Sequence, residues 1–165
     1  MINNSLVFDF NTNSKISNWF ILDDIVMGGE SLGKFILNKN GHGEFYGKVS
    51  LKNSGGFSSV RYRLQKDDFE PYSKFKIKIK GDGKKYQFRV KTNQYDYHSY
   101  IFIFQTTGDW QTIEIPFKDM KPVFRGRMLD MKNYQGKELQ ELAFLIGNKK
   151  NESFRLEIDK IEIAK

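Results

Sequence analysis

The chain has 165 residues, a length typical of one domain, and its 39% hydrophobic content is concentrated in large side chains, including 15 Phe and 8 Tyr. It contains no cysteine, which excludes disulfides, cysteine-based zinc sites and thiol nucleophiles. The formal charge is +7, from 27 Lys and Arg against 20 Asp and Glu. Because the lysines mostly alternate with apolar residues, they indicate the solvated faces of strands, and we expect no nucleic-acid partner.

The first twenty residues lack the basic segment and apolar run of a secretory signal. Hydrophobic runs elsewhere in the chain are too short to cross a bilayer. The sequence therefore predicts a protein without a membrane span, and we expect it in the cytoplasm.

Period-two alternation of apolar and polar residues is the dominant pattern along the chain. It begins at residues 45–51, is clearest at residues 74–80 (KFKIKIK), and returns at 85–91 and 154–163. Such alternation predicts strands with one buried face. The last run changes phase at Asp159, which predicts a bulge or a bend. Two further strands are predicted at residues 98–105, which we expect to be more fully buried, and 110–117.

Short turn motifs separate these strands. Asn40 with Gly41, residues 81–83 (GDG) and Gly108 with Asp109 suit hairpin connections. The one helix-like stretch is 136–142 (GKELQEL), at most about two turns. Many short strands with almost no helix predict an all-β fold, a two-sheet antiparallel β-sandwich or jelly roll formed by residues 1–165 as a single domain.

Three segments interrupt the alternation: residues 23–31 (DDIVMGGES), 53–61 (NSGGFSSVR) and 124–127 (FRGR). The first two each contain a glycine pair, which permits close approach of a backbone or a ligand. Neither matches a phosphate-binding fingerprint or leads into a helix, so we interpret both as tightly packed loops. For Asp23 and Asp24 we favour capping of loop amides over a cation site or an acid pair.

Arginines and tyrosines provide the candidate contacts with a partner. If the loops of Asp23, Arg61 and Arg125 meet at one end of the sandwich, they form an internal ion-pair network or a site for an anionic ligand. We favour the pairing of Arg61 or Arg125 with Asp23 or Asp24. The tyrosines of residues 95–100 (YDYHSY) either stack against a sugar ring or direct alternate rings into the core.

These motifs have a recognisable order along nearly the whole chain. They are Trp19, DDIVMGGES at 23–31, FYGKVSLKNSGGFSSVR at 45–61, Trp110, PF at 116–117, FRG at 124–126, IG at 146–147 and FRLEIDKI at 154–161. In this order they resemble the complex I intermediate-associated protein 30 family. The resemblance implies a jelly roll of the galactose-binding-domain-like type. It also implies kinship with mitochondrial assembly factors of respiratory complex I, and no established catalytic residues.

The resemblance therefore predicts a non-catalytic, chaperone-like assembly module that binds a protein partner, such as respiratory-complex subunits, without a cofactor or metal. Its loop residues are expected to form one connected binding surface: Asp24, Met27, Gly28, Gly29, Ser31, Asn53, Gly55, Gly56, Phe57, Ser59, Arg61, Arg125 and Gly126. One alternative is a carbohydrate-binding module that uses the loop end or an aromatic face. A second is an enzyme with Asp23 or Asp24 as general acid or base.

Overall fold

The computed structural model describes residues 4–165. Within that range it contains thirteen strands and three short 3-10 turns, and no helix that is long and apolar enough to cross a membrane. The strands are β1 (Asn4–Asp9), β2 (Trp19–Asp23), β3 (Leu32–Leu37), β4 (Gly43–Val49), β5 (Ser58–Lys66), β6 (Lys74–Lys80), β7 (Lys85–Lys91), β8 (Ser99–Gln105), β9 (Trp110–Pro116), β10 (Lys121–Phe124), β11 (Arg127–Met128), β12 (Leu139–Ile146) and β13 (Glu152–Ala164). The 3-10 turns are Asp24–Met27, Lys52–Ser54 and Phe117–Asp119.

The strands form two antiparallel sheets. The six-stranded sheet has the order β3-β4-β13-β6-β9, with β1 paired to β13 beside this path. The seven-stranded sheet has the order β11-β10-β8-β7-β12-β5-β2. The two sheets share one hydrophobic core, so the predicted two-sheet antiparallel β-sandwich is confirmed.

The alternating runs supply much of the core. Leu51 is an exception, because β4 ends at Val49 and Leu51 is 40% exposed. On β6, Phe75, Ile77 and Ile79 are fully buried, and Phe75 packs at 5.1 Å between ring centroids against Phe88 of the opposite sheet. On β13, the register shifts between Ile158 and Lys160, at the predicted phase change. The bulge restores the inward direction of the next apolar residue, and Ile161 is buried.

Two of the three predicted hairpins are wrong. Asn40 and Gly41 do connect the paired strands β3 and β4. However, residues 81–83 and Gly108 with Asp109 carry the chain from one sheet to the other, because β6 and β9 belong to one sheet and β7 and β8 to the other. Thr106 joins the two crossings, since its hydroxyl donates to the Lys84 carbonyl at 2.7 Å and accepts the Gly83 N–H at 3.0 Å. A short glycine turn serves a hairpin and such a crossing equally well.

The helix-like stretch at 136–142 is also a wrong prediction, because strand β12 begins at Leu139. The pairing of β12 with β5 shifts register between Leu139 and Glu141. This irregularity lets both Leu139 and Leu142 point into the core at a separation of three residues. A spacing of three is also the spacing of one helix face, which explains the error.

Strand β8 is less buried than its apolar sequence suggested. Ile103 is 56% exposed, whereas its neighbour Phe104 is buried. Only one face of β8 contacts the core, because the other face belongs to the outer surface of the seven-stranded sheet. This outer surface contains the candidate site.

Candidate functional site

The two diglycine loops fold around the carboxylate of Asp24, which is fully buried. Ser31 donates to it through both its backbone N–H (3.0 Å) and its hydroxyl (2.5 Å). From the second loop, the N–H groups of Gly56 (2.6 Å) and Phe57 (3.2 Å) donate to the Oδ2 atom of the same carboxylate. The interpretation of Asp24 as a cap for loop amides is confirmed.

The same carboxylate explains one glycine of each pair. A Cβ atom on Gly29 would lie 2.4 Å from Cγ of Asp24, and one on Gly55 would lie 2.6 Å from its Oδ2 atom. Real side chains do not approach this closely, so each position requires a residue without a Cβ. The glycines therefore serve the packing of the loops around Asp24, as the sequence predicted.

The hydrogen bonds of Asp24 also determine its protonation. Burial by itself raises the pKa of this carboxyl group, but the donors from Ser31, Gly56 and Phe57 outweigh burial and hold the pKa below its ordinary value. The carboxylate is thus ionised, buried and fully engaged with donors. This arrangement argues against a role for Asp24 as a general acid or base.

Asp23 has a comparable structural position. Its side chain is buried, and it accepts hydrogen bonds from the Ser58 hydroxyl and from the Gly33 N–H at 2.8 Å. Among the described residues, neither aspartate forms an ion pair with an arginine. The predicted pairing is wrong, because both carboxylates are satisfied by serine hydroxyls and backbone amides instead.

A groove of about 670 Å³ lies on the outer surface of the seven-stranded sheet, next to the diglycine loops. Strands β5, β7, β8 and β12 form its floor, and the loops around Met27, Tyr97 and Arg125 form its rim. The residues that line it are Leu22, Met27, Gly56, Phe57, Arg61, Arg89, Lys91, Tyr97, Ser99, Phe124, Arg125, Gly126, Leu145 and Gly147.

The floor is cationic because neighbouring strands bring basic residues together. Ala143 of β12 lies in register with Arg61 of β5 on one side and with Arg89 of β7 on the other. Two positions earlier on the same face of β12, Glu141 accepts from Arg61 (3.1 Å) and Arg63 (3.3 Å). The side chains of Glu141 and Arg61 are only 4% and 12% exposed, so this ion pair is largely shielded from water.

Arg89 is less well satisfied than Arg61. Its Nη1 atom donates to the Gln87 side chain at 2.9 Å, but its buried Nε atom has no hydrogen-bond partner among residues 4–165. Burial lowers the pKa of Arg89 to about 10; the charge of Arg61 adds to this effect and that of Glu141 opposes it. The guanidinium is still charged at neutral pH, at an energetic cost.

Lys91 completes the cationic floor. Its ammonium group donates to the backbone carbonyl of Asp96 at 2.7 Å. Burial is the main cause that lowers the pKa of Lys91, and Glu141 partly opposes the effect. The lysine is therefore held by a neutral acceptor and not by a carboxylate.

The rim combines apolar and aromatic side chains with Arg125. Tyr97 is 85% exposed and lies 5.9 Å from Phe124 between ring centroids. Arg125 and Gly126 form the tight turn between β10 and β11 with φ angles of 50° and 76°. The guanidinium of Arg125 lies 5.3 Å from the centroid of the Phe124 ring, so this arginine packs on an aromatic face and not on Asp23 or Asp24.

The structure divides the predicted binding residues into two groups. Those that line the groove are Met27, Gly56, Phe57, Arg61, Arg125 and Gly126. Those that lie outside its lining are Asp24, Gly28, Gly29, Ser31, Asn53, Gly55 and Ser59. Within the second group, Asp24 and Ser31 hold the loops together, Ser59 donates to the Leu22 carbonyl at 2.6 Å, and Asn53 is exposed.

The sequence did not identify Arg89, Lys91 and Glu141. The alternation at 85–91 correctly places Arg89 and Lys91 on the outer face, but it does not reveal that loops surround this face. Glu141 was hidden in the stretch interpreted as helical. Basic residues at alternate positions of β5 and β7 were the available signal. This signal can be read only from the strand order, in which these two strands flank β12.

With this geometry in place, comparison with known proteins indicates the relatives of the chain. A family model described as "Complex I intermediate-associated protein 30" matches residues 8–158. The mitochondrial complex I intermediate-associated protein 30 of Drosophila melanogaster is 26% identical, over an alignment that covers 76% of this chain and 50% of the fly protein. The chain thus spans about half the length of this relative.

Similar solved structures share the fold. A family 11 carbohydrate-binding module of the cellulosomal cellulase Lic26A-Cel5E of Clostridium thermocellum superposes with a TM-score of 0.70 at 17% identity, covering 99% of this chain and 95% of the module. The Clostridium thermocellum family 11 module in complex with a β-1,3-1,4-mixed-linked tetrasaccharide gives 0.68 at 18% identity, covering 99% and 96%. At such low identity the likeness concerns the fold alone, and it agrees with the predicted galactose-binding-like jelly roll.

Proposed function

The chain belongs to the complex I intermediate-associated protein 30 family, and on that premise we propose that it is a non-catalytic, chaperone-like assembly module that holds a protein partner in the cationic groove. The observation that carries the proposal is the composition of the groove, in which buried basic residues lie beneath an exposed apolar rim. We further propose that the partner is a subunit of a respiratory complex, because the family is described by its association with complex I intermediates.

The composition of the groove suits a protein segment. Aromatic residues, methionine and arginine are enriched where proteins bind one another, and the rim and floor supply all three through Tyr97, Met27 and Arg61. The bonds to Asp24 hold the loop that carries Phe57 in place before any partner arrives. A preformed site loses less conformational entropy on binding, which favours affinity.

The location of the protein in the cell must be compatible with the proposed partner. The Drosophila relative is named as mitochondrial, so the cytoplasmic location expected from the sequence stays a prediction. Fractionation of native cells, followed with an antibody against the chain, tests both expectations: recovery in the cytoplasmic fraction supports the predicted location, and co-sedimentation with respiratory membranes supports the proposed partner.

Affinity purification with matched variants tests the proposal. The tagged chain is isolated from detergent-solubilised native cells, and bound proteins are identified by mass spectrometry. We expect enrichment of respiratory-complex subunits that is lost when Tyr97 and Phe124 are both changed to Ser. The control is Arg155→Gln on the six-stranded sheet, where Arg155 pairs with Glu44 at 3.0 Å outside the groove. No enrichment from folded wild type, or equal enrichment with the rim variant, would contradict the proposal.

Carbohydrate binding is the second candidate function, and exposed tyrosines favour it. Tyr95 and Tyr97 are 83% and 85% exposed, which leaves both rings available for stacking against a sugar. The fold also matches that of carbohydrate-binding modules. We place it second because a neutral sugar does not compensate the buried cations of the floor. A thermal-shift titration with the mixed-linked tetrasaccharide tests it: a saturable rise in melting temperature supports this candidate, and no shift counts against it.

A further inference from the structure

We propose that the floor of the groove is a carboxylate-binding site, in which Arg89 and Arg61 donate to an acidic side chain of an extended peptide segment. The inference rests on the proposed function in one respect, namely that the groove receives a protein. It adds the chemistry by which the occupant is recognised.

The charge balance of the groove supports an anionic ligand. Its lining contains four cationic side chains, Arg61, Arg89, Lys91 and Arg125, and among the described residues that line it none is an aspartate or a glutamate. Glu141, next to the groove, pairs with Arg61 and Arg63. Glu141 and the more weakly acting Asp96 cannot balance all the cations of this face, so the groove carries an excess of positive charge that an anionic group would neutralise.

The state of Arg89 also supports a carboxylate ligand, because the donors of its guanidinium are only partly used. A guanidinium presents its donors in a planar fork that fits a carboxylate with two parallel hydrogen bonds. The Nη1 atom of Arg89 has a partner, whereas its buried Nε atom has none in the part of the chain that the structure describes. A buried charged donor without a partner is costly, and a carboxylate would remove that cost once the guanidinium turns toward the groove, which Arg89 lines.

The remaining contacts of the floor indicate that Arg89 is the main donor to the ligand. Arg61 already has Glu141 as its counterion, and Lys91 already donates to the Asp96 carbonyl. Arg89 is therefore the cation of the floor whose hydrogen-bond donors are least satisfied. Arg61 lies beside it, across Ala143. The two oxygens of a carboxylate match the planar fork of Arg89, whereas a phosphate offers more acceptors than this one side chain can use.

Apolar residues beside the cations indicate which residues accompany the acidic residue in the bound segment. Leu22, Phe57 and Leu145 line the same groove as Arg89. Leu145 is buried two residues along β12 from Ala143, so the apolar surface directly adjoins the charged one. In an extended segment, residues two positions apart point to the same face, so an acidic residue with apolar residues two positions before and after it satisfies both surfaces. A free small anion would satisfy only the charge.

Nuclear magnetic resonance provides the test, because arginine Nε–H groups give their own signals. The full chain is titrated with the capped pentapeptide Leu-Ser-Glu-Ser-Leu, whose Leu and Glu side chains share one face when it is extended, with its counterpart that has Gln in place of Glu, and with inorganic phosphate. We expect the Arg89 Nε–H signal to shift saturably with the glutamate peptide, with an affinity at least about tenfold above that for the glutamine peptide. Added salt should weaken the glutamate complex, since screening reduces charge attraction.

Variants assign the effect to the site. Arg89→Gln is expected to reduce the affinity for the glutamate peptide by about tenfold or more, and the Arg155→Gln control should leave it unchanged. No saturable shift in folded wild type, equal affinity for the two peptides, or a response to phosphate alone would overturn the carboxylate site.

The peptide-binding experiment and the capture of respiratory subunits can fail independently of each other. If respiratory subunits are captured by wild type and by Arg89→Gln but lost in the Tyr97 and Phe124 rim variant, the assembly role stands and the carboxylate site is wrong. If the glutamate peptide binds through Arg89 but no respiratory subunit is captured, the carboxylate site stands and the assembly role is wrong.

Discussion

The carboxylate of Asp24 accepts the backbone N–H of Gly56 at 2.6 Å, and this bond joins two loops that are 32 residues apart in the chain. Through it, the loop that follows β2 and the loop that precedes β5 become one unit at the edge of the groove. Phe57, which lines the groove, donates to the same carboxylate. The shape of the site therefore depends on a residue that lies outside its lining.

Replacement of Asp24 by Asn should reduce the free energy of unfolding by about 1.5–3 kcal/mol, because hydrogen bonds to a charged group contribute in that range. An asparagine has one acceptor oxygen in place of two and no charge. Urea denaturation at pH 7 provides the measurement, with Asp67→Asn at an exposed position as the control. An unchanged midpoint for Asp24→Asn would show that these bonds contribute little.

The pH dependence of stability should also change at Asp24. Its hydrogen bonds hold the pKa of the folded state below that of the unfolded chain. The contribution of Asp24 is thus fully present above the unfolded pKa of about 3.9 and is lost as the pH falls through the folded pKa. The difference in melting temperature between wild type and Asp24→Asn should therefore shrink below about pH 4. A constant difference from pH 7 to pH 3 would contradict this assignment.

Alanine at Gly29 or Gly55 should destabilise the protein by about 1–3 kcal/mol, because each new methyl group would overlap the Asp24 side chain. The cost should fall when Asp24 is changed to Ala in the same chain, since the overlap with the carboxylate is then removed and only the contact of a Gly29 methyl with the Cβ atom of position 24, at 2.9 Å, is left. Melting curves of the single and double variants measure this coupling. Lys52→Ala, at an exposed neighbour in the second loop, is the control; strict additivity would refute the overlap.

Removal of Glu141 should be among the more damaging changes on the outer face of the seven-stranded sheet. Its carboxylate is the counterion of Arg61 within a largely buried pair, and the loss of one partner of such a pair costs about 3–5 kcal/mol. We expect a loss of that size for Glu141→Gln in urea denaturation. Part of it should return when Arg89→Gln is added, because less buried positive charge then lacks compensation.

Removal of the Arg89 charge should have the opposite effect and stabilise the protein. Its charge is mostly buried and lacks a carboxylate partner, so Arg89→Gln should raise the free energy of unfolding by about 0.5–2 kcal/mol. The same variant should bind the glutamate peptide more weakly. Thermal denaturation without ligand measures the first effect. A lower melting temperature would mean that Arg89 is a structural residue and that its charge is compensated within the fold.

Local patterns were sufficient for the fold class and for part of the strand set. Alternation identified β4, β6, β7 and β13 and the core residues of β6 and β13, and the phase change at Asp159 identified a real bulge. It did not identify β1, β2, β3, β10 or β11. The same patterns failed where one local signal serves two structures. The bulge of β12 imitated a helix face at Leu139 and Leu142, and the turn at residues 81–83 crosses between sheets although it resembles a hairpin turn.

For the candidate site, the sequence by itself indicated two closely packed loops, because the glycine pairs at 28–29 and 55–56 permit close approach of another part of the chain. It also placed Arg61 among the candidates. Only the tertiary structure decided that Arg61 pairs with Glu141 and that Arg89 and Lys91 share its groove. The physical reason is strand order: residues on β5, β12 and β7 meet through hydrogen-bonded neighbours that are far apart in the chain, and alternation specifies the face of a residue but not the strand beside it.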